Sequence, residues 1–93
     1  MILSDETLEQ ISQMGGLFLS PREIACLLDL DTEEFLAQLS DPSSSAHKAY
    51  LKGRTQSKME IRTKVISLAK MGSPQAEMLA EKYIEENDID QNV

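Results

Sequence analysis

The sequence predicts an all-α fold, with a three-helix helix-turn-helix unit followed by a long helix and a shorter helix folded back as an antiparallel hairpin. Sustained alternation of apolar and polar residues, which marks strands, is almost absent. Residues that cap helices repeatedly precede stretches with apolar residues at three- and four-residue spacing. The chain has 93 residues, of which 41% are hydrophobic and 27% charged, a composition typical of one small globular domain.

A first helix is predicted after Ser4, whose hydroxyl can accept a hydrogen bond from the first turn. Leu8, Ile11 and Met14 then form an apolar stripe. Gly15-Gly16 follows, and glycine tolerates the left-handed conformation that commonly ends a helix. We therefore expect this helix to end at the glycine pair.

A helix-turn-helix is predicted for residues 20–41. Ser20-Pro21-Arg22-Glu23 has the pattern of a capping box with proline at the first helical position. Asp31 is placed to cap the next helix, eleven residues after Ser20. This spacing leaves room for one short helix, a turn and another helix. A plain αα-hairpin in an all-α protein is the alternative.

A long fourth helix is predicted for residues 45–71, with Gly53 as a weak point inside it. Gly72-Ser73-Pro74 is placed to end that helix and to begin a fifth. The fifth helix is expected to extend to about residue 86.

Three regions follow from this organisation. Residues 1–43 form the helix-turn-helix region, which resembles a DNA-binding unit, and residues 44–86 form a helical hairpin for oligomerisation. Residues 87–93 are polar and are expected to be a flexible tail.

The net charge of −7 is unevenly distributed. Residues 1–43 contain nine acids and one base, a net −8, and residues 72–93 contain six acids and one base, a net −5. Residues 44–71 contain seven bases and one acid, a net +6. A nucleic acid can approach only this basic segment without strong repulsion.

Five residues are the predicted DNA-binding residues. On the outward side of the third helix, Thr32 and Gln38 are expected to lie nearest the bases, since glutamine can pair with adenine. Lys48, Lys52 and Arg54 are expected to contact phosphates. The acidic residues around the third helix repel phosphate and so disfavour tight DNA binding by a single copy. Their presence is also explained by helix capping and by favourable interaction with the helix dipole.

The fourth helix carries apolar residues on two sides, and one neighbouring helix can cover only one of them well. The second row predicts an oligomer interface, while contact with the N-terminal helices is the alternative. In a hairpin about Gly72, Arg62 and Lys58 lie opposite Glu81 and Glu85, and such ion pairs would orient the hairpin or join subunits. The predicted oligomerisation residues are Leu51, Met59, Ile66, Ala69, Arg62 and Glu81.

Catalysis finds little support in the sequence. His47 stands alone, and Cys26 lies beside core positions, which favours a buried structural cysteine over a nucleophile. No metal-ligand cluster or phosphate-binding glycine loop is evident, so we expect no enzyme activity, cofactor or metal. The amino-terminal residues lack the pattern of a signal peptide, no apolar run approaches the ~20 residues of a membrane span, and one cysteine suits a reducing compartment. These features predict a cytoplasmic protein that does not bind membranes.

Taken together, "PREIACLLDLDTEEFLAQL" and "AYLKGRTQSKMEIRTKVISLAKMGSPQAEMLAEKYI" resemble the small subunits of phage terminases that have a homeodomain-like N-terminal region. Members often show an alanine-tyrosine pair and a lysine-glycine-arginine stretch after the recognition helix. A charged helix, a leucine-alanine segment, a Gly-x-Pro break and a final alanine-leucine-rich helix follow. In this sequence those parts are Ala49-Tyr50, Lys52-Gly53-Arg54, residues 65–71, Gly72-Ser73-Pro74 and residues 76–83. The resemblance covers about residues 19–86 and rests mainly on the order of these parts.

The resemblance implies a non-enzymatic subunit of phage or prophage origin in the host cytoplasm. It would form a homo-oligomeric ring, bind double-stranded DNA at the packaging start site, and regulate the terminase large subunit, an ATPase and nuclease. Many weakly binding copies in a ring act together through effective concentration. A small dimeric helix-turn-helix transcription regulator and a helical adaptor that binds protein rather than DNA remain the alternatives.

Overall fold

The computed structural model describes residues 1–91 of the chain, and the side chains of residues 1–86. These residues form five helices and no strand, which confirms the all-α class. The helices are α1 (Asp5–Gly16), α2 (Pro21–Leu27), α3 (Thr32–Leu39), α4 (Ser45–Lys70) and α5 (Pro74–Gln91).

The chain forms two compact units, one comprising Met1–Lys58 and the other beginning at Met59. The structural division therefore falls inside α4, whereas the sequence divided the regions before that helix, at residues 43 and 44. The charge pattern and the start of α4 had predicted a boundary before this helix. In the structure, the first half of α4 packs with the N-terminal helices and so belongs to the first unit.

The core of the first unit receives residues from each of its four helices. Phe35 of α3, Ile11 of α1 and Ile24 of α2 are fully buried together with Ala25 and Ala46. Burial of each large apolar side chain contributes about 1.5–3 kcal/mol. Half-buried apolar residues surround this cluster, among them Leu3, Leu8, Leu30, Leu39 and Tyr50.

The predicted N-terminal caps of the first three helices are confirmed. The Ser4 hydroxyl accepts from the Thr7 N–H (3.1 Å), and the Asp31 carboxylate accepts from the Glu34 N–H (2.9 Å). Ser20 and Glu23 form the full capping box, with each side chain accepting from the backbone N–H of the other residue. The hydrogen bond from the Ser20 N–H holds the pKa of Glu23 below its ordinary value, because it stabilises the carboxylate.

Helix α1 ends where the sequence predicted, but a different residue turns the chain. The left-handed residue is Phe18, with φ 61°, and not a glycine. The N–H groups of Phe18 and Leu19 donate to the carbonyls of Gly15 (3.0 Å) and Met14 (3.2 Å), which closes the end of the helix. The two glycines lie inside α1.

Glycines set the close approach of α1 to α4 instead. A Cβ atom added to Gly53 would overlap the backbone carbonyl of Ser12. One added to Gly15 would lie 2.8 Å from the backbone oxygen of Tyr50. The two helices therefore meet backbone to backbone, and Gly53, which the sequence marked as a weak point of its helix, is a packing requirement.

The turn between α2 and α3 contains a second non-glycine residue in the left-handed region, Asp29, with φ 54°. The Leu30 N–H donates to the Ala25 carbonyl across this turn (2.9 Å). Aspartate is one of the side chains that tolerate this conformation at moderate cost, which explains how the turn forms without the usual glycine.

The ends of α4 agree with the prediction to within one residue. Its first turn is capped by the Ser44 hydroxyl, which accepts from the His47 N–H (3.0 Å). At its end Gly72 adopts φ 97° and the Ser73 N–H donates to the Leu68 carbonyl (3.1 Å).

Most of the predicted tail lies within helix α5. Helix α5 continues to Gln91 and does not end near residue 86. The residues from 87 onward contain no glycine or proline that would stop a helix. Residues 92 and 93, the rest of the predicted tail, lie outside the described residues.

Candidate nucleic-acid and assembly surfaces

The outward side of α3 is acidic. Phe35 points into the core, while Glu33, Glu34 and Ala37 are exposed and Thr32 is half-buried. Thr32 therefore has partial access to solvent but shares this face with two carboxylates. One copy of this surface repels phosphate.

Gln38, the second predicted base-reading residue, already has a partner within the chain. Its side-chain amide nitrogen donates to the backbone carbonyl of Met1 at 2.8 Å. This contact occupies one of the two amide hydrogens, whereas bidentate recognition of adenine needs one amide hydrogen together with the amide oxygen. Residue spacing does not reveal this contact, because the two residues lie 37 positions apart.

Lys48 and Lys52 lie one turn apart on the same side of α4, and both are exposed. The adjacent His47 ties this turn to α3, since its Nδ1 lies 2.7 Å from the Leu39 carbonyl oxygen. The first turns of α4 present two exposed ammonium groups on one side of the helix.

Lys52 also lies beside acids of α1. A groove of about 360 Å³ is lined by Asp5, Glu9 and Lys52 together with Leu8, Ser12, Ala49 and Gln56. The two carboxylates balance part of the charge of this lysine, which weakens its attraction for phosphate relative to Lys48.

Arg54 does not join the two lysines in one row. It follows Lys52 by two residues and therefore projects about 160° away from it around α4. Its guanidinium carbon lies 5.2 Å from the ring centre of Phe18 and 5.4 Å from that of Tyr50. Its Nη1 donates to the Tyr50 hydroxyl (3.2 Å). The three predicted phosphate-contacting residues thus divide between two sides of one helix.

The loop between α3 and α4 holds another negative charge in place. Oδ1 of Asp41 accepts hydrogen bonds from the backbone N–H (3.0 Å) and hydroxyl (2.7 Å) of Ser43. These bonds lower the pKa of Asp41, the hydroxyl contributing most. Because hydrogen bonding favours its ionised form, Asp41 adds to the negative potential around α3.

The predicted oligomerisation residues of α4 differ in their exposure. Leu51 is 55% exposed and Met59 is 63% exposed, whereas Ile66 and Ala69 are half-buried. In the second unit, a mainly apolar groove of about 540 Å³ runs along one side of α4. It is lined by Met59, Arg62, Thr63, Ile66, Ser67 and Lys70.

Arg62 makes an ion pair within the chain, but its partner differs from the predicted one. Its Nη2 lies 2.8 Å from Oε2 of Glu86, and its guanidinium stacks 4.2 Å from the Tyr83 ring centre. Glu81, the expected partner, is exposed. Arg62 and Glu86 lie equally far along the chain from Pro74, whereas the predicted pairs are centred near Gly72.

The described part of the second unit buries few apolar side chains. Ala76 is its one buried residue among residues 59–86. Seven large apolar side chains remain exposed: Met59, Ile61, Leu68, Met71, Met78, Leu79 and Ile84. So many exposed large apolar side chains in a short segment are expected at an interaction surface of a folded protein.

Cys26 is exposed, which corrects the prediction of a buried structural thiol. Helix α2 directs the two preceding residues, Ile24 and Ala25, into the core, so that Cys26 falls on the outer side. In the part of the chain that the structure describes, no group of three or more potential ligands is placed to hold a metal ion. Within the same residues, no helix combines the length and apolar character needed to cross a bilayer.

Comparison of the chain with protein-family models, curated proteins and solved structures finds no match.

Proposed function

We propose that this chain is the non-enzymatic small subunit of a viral genome-packaging terminase. In this proposal α2 and α3 form a helix-turn-helix, and α4 and α5 form the antiparallel hairpin that joins subunits into a ring. The ring binds double-stranded DNA at the packaging start site and regulates the large ATPase–nuclease subunit. The proposal rests on the resemblance of residues 19–86 and on the two surfaces described above.

The exposed apolar surface of the second unit is the observation that carries the assembly part of the proposal. A pair of helices that buries one alanine among its described residues has too little core to be stable with its other apolar side chains in water. Association with further copies covers such a surface, and cyclic symmetry repeats the same contact without leaving an open end.

Assembly also compensates for the weak DNA binding expected of a single copy. Each copy offers the exposed Lys48 and Lys52 but also carries the exposed acids of α3, so that one copy alone binds weakly. Several copies held together bind in an intramolecular manner after the first contact, which raises the overall affinity without new contacts.

The first test of this proposal is the mass of the protein in solution. Light scattering of the full chain is expected to give a ring of about eight or more subunits. Met59→Glu places a charge in the apolar groove of α4 and is expected to lower this mass. Gln10→Glu, which adds the same charge at an exposed position of α1 in the first unit, is the matched control and keeps the ring. A wild-type dimer favours the transcription regulator, and a stable monomer at high concentration refutes the proposal.

The second test concerns DNA. The double variant Lys48→Ala/Lys52→Ala is expected to bind duplex DNA more weakly, and its log–log salt slope should be smaller by about one for each phosphate that it no longer neutralises. Lys64→Ala/Lys82→Ala removes the same charge from exposed positions of the second unit and serves as the control. Fluorescence anisotropy over a range of salt concentrations measures both. If wild-type protein fails to bind duplex DNA even at low salt, the protein-binding adaptor replaces the terminase subunit as the better explanation.

A further inference from the structure

Phe18 occupies a backbone conformation that its side chain disfavours. Its φ of 61° lies in the left-handed region, where a bulky residue is rare because Cβ approaches the neighbouring carbonyl. Glycine fits this position of a helix end without that cost. The ring of Phe18 is also 43% exposed, so that burial in the core does not account for its presence.

The ring of Phe18 instead contacts the guanidinium group of Arg54. The distance from the guanidinium carbon to the ring centre is 5.2 Å, within the range of a cation–π interaction. Tyr50 adds a second ring at 5.4 Å, and its hydroxyl accepts from Nη1 of Arg54 (3.2 Å). Two aromatic rings and one hydrogen bond therefore restrict a side chain that otherwise samples many rotamers.

The restricted guanidinium keeps a binding edge available. Among the described residues, its Nε and Nη2 have no hydrogen-bond acceptor, and no carboxylate lies within salt-bridge distance of Arg54. This edge carries parallel N–H donors that match two oxygens of a phosphate. Lys52, in contrast, lies beside two carboxylates of α1.

We infer that Phe18 is a positioning residue, which holds Arg54 as a fixed, bidentate contact for a phosphate of the DNA backbone. The strained backbone is the cost of placing an aromatic ring over this guanidinium. Because the side chain is ordered before DNA arrives, less conformational entropy is lost on binding. This inference rests on the DNA binding proposed above.

The test compares two substitutions that differ in one property. Phe18→Leu keeps an apolar side chain and the same backbone strain but removes the aromatic face, whereas Phe18→Tyr keeps the ring. Phe18→Leu is expected to weaken binding to duplex DNA about three- to tenfold, and Phe18→Tyr to stay within about twofold of wild type. Arg54→Ala is expected to weaken binding and to lower the salt slope by about one.

A measurement without DNA separates positioning from packing. The ¹⁵N resonances of the Arg54 guanidinium in free protein are expected to show slowed rotation in the wild type and in Phe18→Tyr, and faster rotation in Phe18→Leu, where only the contacts with Tyr50 remain. If both variants bind DNA as wild type does, or if Arg54 rotates freely in wild-type protein, the inference is overturned while the proposed function stands. If wild-type protein binds no DNA, both fail.

Discussion

Replacing Gly53 with alanine is expected to destabilise the first unit by about 3 kcal/mol. In an ordinary helix interior the change from glycine to alanine stabilises the helix by about 1 kcal/mol. The close crossing of α1 and α4 therefore reverses the sign of the expected effect on stability. The new methyl group would overlap the backbone carbonyl of Ser12, and two helix backbones must move apart to admit it. A urea titration followed by circular dichroism measures the change in the free energy of unfolding.

The neighbouring glycines supply a graded comparison. A Cβ atom added to Gly15 would lie 2.8 Å from the backbone oxygen of Tyr50. One added to Gly16 would lie 2.8 Å from the hydroxyl oxygen of Ser57. Because a hydroxyl can rotate away and a carbonyl cannot, the expected order of destabilisation is Gly53→Ala, Gly15→Ala, then Gly16→Ala. Thr55→Ala, at an exposed position of α4, is the control and should change stability by about 0.5 kcal/mol at most. A Gly53→Ala protein as stable as wild type would show that α1 and α4 do not cross this closely.

Replacing Phe35 with alanine is expected to cost about 3–5 kcal/mol, the largest loss from any single side chain in the core. Phe35 is the largest of the three fully buried side chains, and it packs in the cluster that contains Ile11, Ile24 and Ala46. Its removal leaves a cavity that α2 and α3 can close only in part. Since small domains have about 5–15 kcal/mol of stability, the variant should be close to unfolding at room temperature.

The matched control for this change is Leu27→Ala. Leu27 is a large apolar residue in the adjacent helix, but it is exposed and should cost about 1 kcal/mol or less. Thermal unfolding of both variants, followed at equal protein concentration, checks the difference. Equal melting temperatures would mean that Phe35 does not fill the core.

The sequence predicted the helices well because their ends depend on residues close together in the chain. Ser20 and Glu23 cap each other three positions apart, and Gly72 ends α4 through a bond from Ser73 to Leu68. Such contacts can be read from spacing alone. The end of α1 at Gly15-Gly16 was placed correctly, but the left-handed conformation was assigned to a glycine and belongs to Phe18.

The candidate site was harder to predict because its contacts join distant parts of the chain. The partner of Gln38 is Met1, and the ring over Arg54 belongs to Phe18 in the loop between α1 and α2. Lys52 and Arg54 were assigned the same role because they are close in sequence, but sequence position does not show which way either side chain points. The ion pair of Arg62 shifted to Glu86 because the length of a turn sets the register of the helices that it joins.

The bare crossing at Gly53 has a consequence for how this molecule can vary. Where side chains separate two helices, substitutions change the spacing gradually, and neighbouring rotamers absorb the difference. Here main-chain atoms are in direct contact, so replacing one apolar side chain with another does not change the distance between the two helices. The charged turns of α4 that follow His47 are therefore held in a fixed position against α1. Variants of this protein should differ in the side chains on these turns and not in the position of the turns.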